Sequence, residues 1–147
     1  MQTTASYDAL EGCLLGAGVG DSLGLVRENL SAHRAASLYG KRPLPQRMLF
    51  GRWGFFSDDT EHVYMTAVAF RQAENIEQFR TLLAGQLRHW IKLLPVTAGS
   101  ATVRSCWKLS MGVSSQKSGI CSAGNGAAMR TAIIGAAFDG STEELRQ

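Results

Sequence analysis

A chain of 147 residues with 45% hydrophobic and 18% charged content has the composition of a packed globular protein, which excludes a disordered segment. Its length fits one ordinary domain or part of a larger one, and its net charge of +3 is too modest to demand a polyanionic partner. Cys13, Cys106 and Cys121 are widely spaced with no CxxC pair, which argues against a disulfide framework or a structural zinc site. Buried thiols in a reducing, cytoplasmic compartment are expected. No basic segment followed by an apolar run opens the chain, and apolar runs fall short of the roughly 20 residues that span a bilayer, so no membrane partner is expected.

Taken in order, the periodicity is helical nearly throughout. Tyr7 to Leu25 places Leu10, Cys13, Leu14 and Ala17 on one face, with Gly12, Gly16, Gly20 and Gly24 every fourth residue. Each glycine costs a helix interior roughly 1 kcal/mol, so the row predicts another backbone packed closely against it. From Asn29 to Ser57 the chain is basic and free of acids, with Arg34, Lys41, Arg42, Arg47 and Arg52, and Pro43 and Pro45 mark it as irregular. Its bases are not interleaved with stacking aromatics, so no nucleic-acid partner is expected.

Ser57 has the chemistry of an N-cap and predicts a helix with Val63, Ala67 and Phe70 on its inner face. Asn75 predicts a second, with Phe79, Leu82, Leu83, Trp90 and Leu94 inward and Pro95 as its stop. Ser100 to Met111 reads as a shorter helix ended by Gly112, followed by a polar, flexible segment to Gly124. Gly126 to Phe138 is helical again, with Met129, Ala132, Ile133 and Ala136 inward. No alternating strand pattern occurs, so the class is all-α. Asp139-Gly140 then reads as a turn and Ser141 to Glu144 as a capping box, with only three residues after it. A helix announced but not continued predicts a truncated domain.

The residues with chemical potential each admit two readings. Ser57-Asp58-Asp59-Thr60-Glu61 is either a helix start whose acids complement the macrodipole, or a hydroxyl and two carboxylates of the hard-oxygen kind that magnesium prefers. Asp21 interrupts the first helix and reads as a buried carboxylate bonded to nearby N–H groups, while Glu28 is either a surface acid or a group that poises a water or substrate hydroxyl. Ser122-Ala123-Gly124-Asn125-Gly126 is either an ordinary turn or an anion-binding loop before a helix, with Arg130 as an additional partner for phosphate or carboxylate. His62 reads as a packing residue or one supporting the acids, and His33 and His89 as surface or packing residues.

The order of these segments is more specific than any one of them. Gly12 to Gly24 with Glu28, then Ser57 to Glu61, then Ser122 to Arg130, resembles the successive motifs of the ADP-ribosylglycohydrolase family over about Leu10 to Phe138. The resemblance implies an all-helical fold, with residues 1–147 as the N-terminal half of a single domain and its C-terminal half absent. It implies a hydrolase that cleaves the glycosidic bond between ADP-ribose and a protein side chain or small acceptor. It also implies two Mg2+ ions, with Mn2+ as a substitute. Ser57, Asp58 and Asp59 would be metal ligands, and Glu28, Asp58 and Asp59 the catalytic acids. Gly99, Ser122, Gly124, Asn125 and Gly126 would bind substrate. The family's second metal motif, Asp-x-Asp-Thr, has no counterpart among Asp8, Asp21, Asp58, Asp59 and Asp139. The chain alone is therefore expected to be inactive and open to self-association, and a non-catalytic ADP-ribose-binding module or an inactive fragment are the alternatives.

Overall fold

The computed structural model describes residues 7–40, 53–95 and 97–138. Among them are the helices α1 (Tyr7–Gly24), α2 (Ala32–Tyr39), α3 (Asp58–Gln72), α4 (Ile76–Trp90), α5 (Ser100–Ser110), α6 (Ser115–Ser118) and α7 (Ala132–Ala137). No strand occurs among the described residues, as the sequence pattern predicts. The predicted turn and capping box after Phe138 lie outside the described residues, as do Lys41, Arg42, Arg47 and Arg52 of the basic stretch.

The helix at the centre is α3, which packs against α1, α4 and α7, while α5 packs against α4. Its inner face carries His62, Val63, Met65, Thr66, Ala69 and Phe70, so the expected Val63 and Phe70 are buried but Ala67 is only partly so. One apolar cluster joins Met65 to Ala84, Leu87 and Trp90 of α4 and to Cys106 and Leu109 of α5. A second joins Ala69, Phe70 and Ala73 to Phe79 and Ala137, with Leu10 of α1 beside it. Phe70 meets both Phe79 and Phe138 edge to face, the orientation that aligns a ring's positive edge with its neighbour's negative face.

Local chemistry sets most of the boundaries. Asn75 accepts from the Gln78 amide at 2.9 Å while Gln78 returns its side-chain oxygen to the Glu74 amide at 2.7 Å, so α4 starts on a reciprocal cap. Its end departs from expectation: Leu94 adopts a left-handed conformation (φ 54°) and is 79% exposed rather than inward. At the end of α5, Gly112 has φ 86°, and the amides of Gly112 and Val113 return to Leu109 and Lys108, the paired bonds of a Schellman stop.

Four further expectations are corrected. The basic stretch begins with an ordered helix, α2, because Ser31 caps it by accepting from the Arg34 amide at 3.2 Å. The predicted Gly126 to Phe138 helix is broken into a 3-10 turn, Ala128–Arg130, and the short α7. Thr131 donates its hydroxyl to the Ala128 carbonyl at 2.8 Å, which competes with the helical ladder at the break. Ile133 and Ala137 are consequently the buried residues, and Ala132 faces out. Cys106 is buried, but Cys13 is half-buried and Cys121 exposed.

The fourth concerns α1. A Cβ built at Gly12, Gly16, Gly20 or Gly24 meets nothing within 4 Å among the described residues, so the glycine row faces open space there. Gly18 is the one that needs to be small, with the Phe56 ring 3.2 Å from its would-be Cβ. Leu15 and Val19 are 62% and 58% exposed beside the row. Within Tyr7–Arg27 an 18-residue window of mean hydropathy 1.3 meets the length and composition of a membrane-crossing helix, although Glu11 and Asp21 interrupt it, so no unbroken apolar run of that length occurs there.

Candidate active site

The start of α3 is fixed from three sides. An α-helix leaves its first N–H groups without intrahelical acceptors. Here Asp59 N–H finds Ser57 Oγ at 3.2 Å, Asp58 N–H finds Thr97 Oγ1 at 3.1 Å, and Thr60 N–H finds Asp21 Oδ2 at 3.3 Å. Asp21 Oδ2 also accepts from Ser57 N–H at 2.8 Å and from the Thr60 hydroxyl at 2.5 Å. One residue further along α1, Ser22 donates to the Phe55 carbonyl at 3.1 Å. The reading of Asp21 as a carboxylate held by N–H groups agrees with this geometry. Thr60 and Thr97 carry no signal in the sequence beyond their place beside Asp59 and Gly99.

With those amides satisfied by Ser57, Thr97 and Asp21, the carboxylates of Asp58 and Asp59 are not used as caps. Neither accepts a hydrogen bond from any described residue, although Asp58 is only 7% exposed. Burial raises the pKa of Asp59, and the charges of Asp58 and Asp21 raise it further. Glu28 is raised by burial first and then by Asp58, Asp59 and Asp21, which places it in the same field although it lies on the 3-10 turn after α1. Like charges held together disfavour ionisation of one another. The corner is therefore an excess of negative charge of the kind a hard cation relieves.

Asp58 also lines a cavity of about 580 Å³ with Gly99, Thr102, Ser122, Gly124, Asn125, Gly126 and Arg130. The expected substrate residues are thus brought to one space with one of the acids. Ser57, Asp59 and Glu28 do not line that cavity, and Ser57 Oγ is engaged with the helix amide, leaving one lone pair for another partner. The loop holds itself by a single bond, Gly124 N–H to Ser122 Oγ at 3.1 Å. It presses on α5, since a Cβ at Gly126 would stand 2.9 Å from Thr102 Oγ1. The helix expected behind the loop is not continuous, so positive charge in this cavity comes from Arg130. Its buried Nε has no partner; burial lowers its pKa, Cys106 and Asp58 oppose that, and it stays a cation at working pH.

Beneath the corner lies a residue read as packing. His62 is 1% exposed and meets Trp90 edge to face at 4.4 Å, and the Trp90 indole N–H donates to Glu61 at 2.6 Å. Neither ring nitrogen has a partner among the described residues, and burial, with Arg130 nearby, lowers its pKa to about 3.

An all-helical chain whose acidic corner meets a glycine loop in this order is defined as a class by comparison with known proteins. The ADP-ribosylglycohydrolase family model matches residues 2–147, and the chain belongs to that family. It is similar to an uncharacterized protein of Archaeoglobus fulgidus, at 31% identity over 132 residues. That match covers 86% of this chain but only 42% of the relative, so the chain spans well under half the length of the curated relative it matches.

Proposed function

We propose that the protein hydrolyses the glycosidic bond between ADP-ribose and a protein side chain or small acceptor, with Mg2+ as cofactor. The observation that carries this reading is that Asp58, an unbonded carboxylate of the acidic corner, shares one cavity with the Ser122 to Gly126 loop and Arg130. Such a cavity pairs a carboxylate suited to a metal or a developing cation with a guanidinium, within electrostatic reach of it, suited to a diphosphate.

The donor chemistry fits magnesium, which prefers hard anionic oxygen. Ser57, Asp58 and Asp59 would hold it; no group of three or more His, Cys, Asp or Glu side chains forms a metal cluster among the described residues. When bound, the ion supplies Lewis-acid charge for orienting ribose hydroxyls and activating water. Mn2+ offers the same charge. Departure of the acceptor leaves an oxocarbenium-like ribosyl carbon, and the Asp58 carboxylate lining the cavity, with Asp59 and Glu28 adding to its negative field, stabilises that positive charge. Glu28, with its raised pKa, is suited to moving a proton at the attacking water. Ser122, Gly124, Asn125, Gly126 and Gly99 offer small side chains and backbone groups that allow close approach of the diphosphate, with Arg130 as its counter-charge.

The same absence of a three-acid cluster favours a second reading, a non-catalytic module that binds ADP-ribose. Calorimetry with ADP-ribose, with and without Mg2+, separates the two. Metal-dependent binding is the expected result, together with release of ADP-ribose from a modified protein when the family's second metal motif is also present; tight metal-independent binding without release would support the module instead.

A further inference from the structure

We infer that Asp21 is the positioning residue of the acidic corner, a role that rests on the reading of that corner as a metal site. A helix beginning Ser-Asp-Asp would ordinarily use its own acids as caps, because orphan amides and carboxylates of the first turn lie within reach of each other. In a capping box the residue three positions into the helix returns to the N-cap amide. Here that residue is Thr60, whose hydroxyl instead donates to Asp21 Oδ2 at 2.5 Å, and Asp21 takes the Ser57 and Thr60 amides in its place. One carboxylate oxygen from a different helix thus performs the work that local acids would do.

Two consequences follow from that substitution. The Asp58 and Asp59 carboxylates are released from capping, which is why they accept no hydrogen bond among the described residues. The corner is also fixed relative to α1, because Asp21 binds both sides of the turn while Ser22 holds Phe55 just before it. Negative charge beside a helix N-terminus is favourable in itself, so Asp21 serves this position with no ion pair among the described residues. Asp21 does not line the cavity and acts through Ser57 and Thr60 rather than on a ligand.

The test uses the chain with Asp21→Ala, Asp21→Asn and Thr60→Val, Mn2+ as the metal probe, and amide exchange as a readout independent of metal. Partners of metal-ligating groups typically contribute roughly 10–100-fold to metal affinity, and Asp21→Ala is expected to weaken Mn2+ binding by that factor. Asp21→Asn, which keeps an acceptor oxygen, should recover part of the loss, and Thr60→Val should add little to Asp21→Ala because the hydroxyl bond it removes is already among the three that Asp21→Ala breaks. The Ser57 and Thr60 amides should lose exchange protection in Asp21→Ala while those of Leu87 and Leu109 in the core keep theirs. ADP-ribose affinity measured without divalent metal should not change. Wild-type Mn2+ affinity in Asp21→Ala, retained protection at Ser57 and Thr60, or a parallel loss of metal-free ADP-ribose binding would each overturn the inference alone. A wild-type chain that binds no Mn2+ would overturn the metal reading of the corner and the inference with it.

Discussion

The two segments that meet in the cavity are built on opposite principles. At the start of α3, four backbone N–H groups are held by side chains from α1, from the N-cap and from Thr97. Across from it, the Ser122 to Gly126 loop has one internal bond and is mostly exposed. The first arrangement fixes charge in advance, as a site must when its groups act only in a narrow geometry. The second leaves backbone groups open to whatever enters. Rigidity is thus placed where charge has to be held against its own repulsion, and openness where the proposed function requires a flexible ligand to be accommodated.

The contrast is tested most severely at the acids. In a version of the chain completed with the family's second metal motif, Asp58→Asn and Asp59→Asn should each cut ADP-ribose release by roughly 10²–10³-fold or more, as removal of a preorganised charge does, with an unchanged circular dichroism spectrum. Near-normal release by both variants would return the cluster to a helix start. His62, one turn deeper in α3, tests the same rigidity through pH. Its neutral folded form has a pKa of about 3, against about 6.5 in the unfolded chain. The unfolded state therefore binds the additional proton first, and stability should fall as pH drops below about 6.5 and level off near 3. By pH 4.5 the loss is about 2–3 kcal/mol, and denaturant titrations of His62→Leu should lack it. A wild-type stability that is flat across this window would show that the base of the corner admits water.

Changes in the loop should be smaller and should act on a different ligand. Asn125→Ala or Gly124→Val is expected to weaken ADP-ribose about tenfold, near the contribution of one hydrogen bond, while Mg2+ affinity stays constant. Separate titrations of the two ligands would reveal any crossover, and equal losses of both would dissolve the distinction between corner and loop. The smallest effect is expected on α1. Gly16→Ala, with no described atom within 4 Å of the new methyl, should stabilise the chain by about 0.4–1 kcal/mol in thermal unfolding. A destabilised Gly16→Ala would mean that this face packs against another surface.

What was legible in the sequence divides along a physical line. Ser57, Asn75 and Gly112 announced their boundaries correctly because caps and stops act over three or four residues. The acids of the corner and the residues of the loop were legible as groups because their order matches the motifs of the family. The glycine row announces a close neighbour that no described residue supplies, and the glycine of α1 packed among the described residues is Gly18, which lies off the row. The break at Thr131 was hidden because a threonine's hydroxyl competes for a carbonyl only once the backbone is in place. Asp21 was read as a bonded carboxylate, yet its donors, 36 and 39 residues away, were not predictable from local pattern.

The uneven burial of the three cysteines provides a natural spectroscopic handle. Cys121 is exposed immediately before Ser122, whereas Cys106 is buried and burial raises the thiol pKa of both Cys106 and Cys13. Because the thiolate is the reactive form, a maleimide dye at neutral pH should attach to Cys121 ahead of the other two. A fluorophore so placed sits at the threshold of the loop without any engineered residue. Its emission would then follow the arrival of a nucleotide in real time, independently of whether any bond is cleaved.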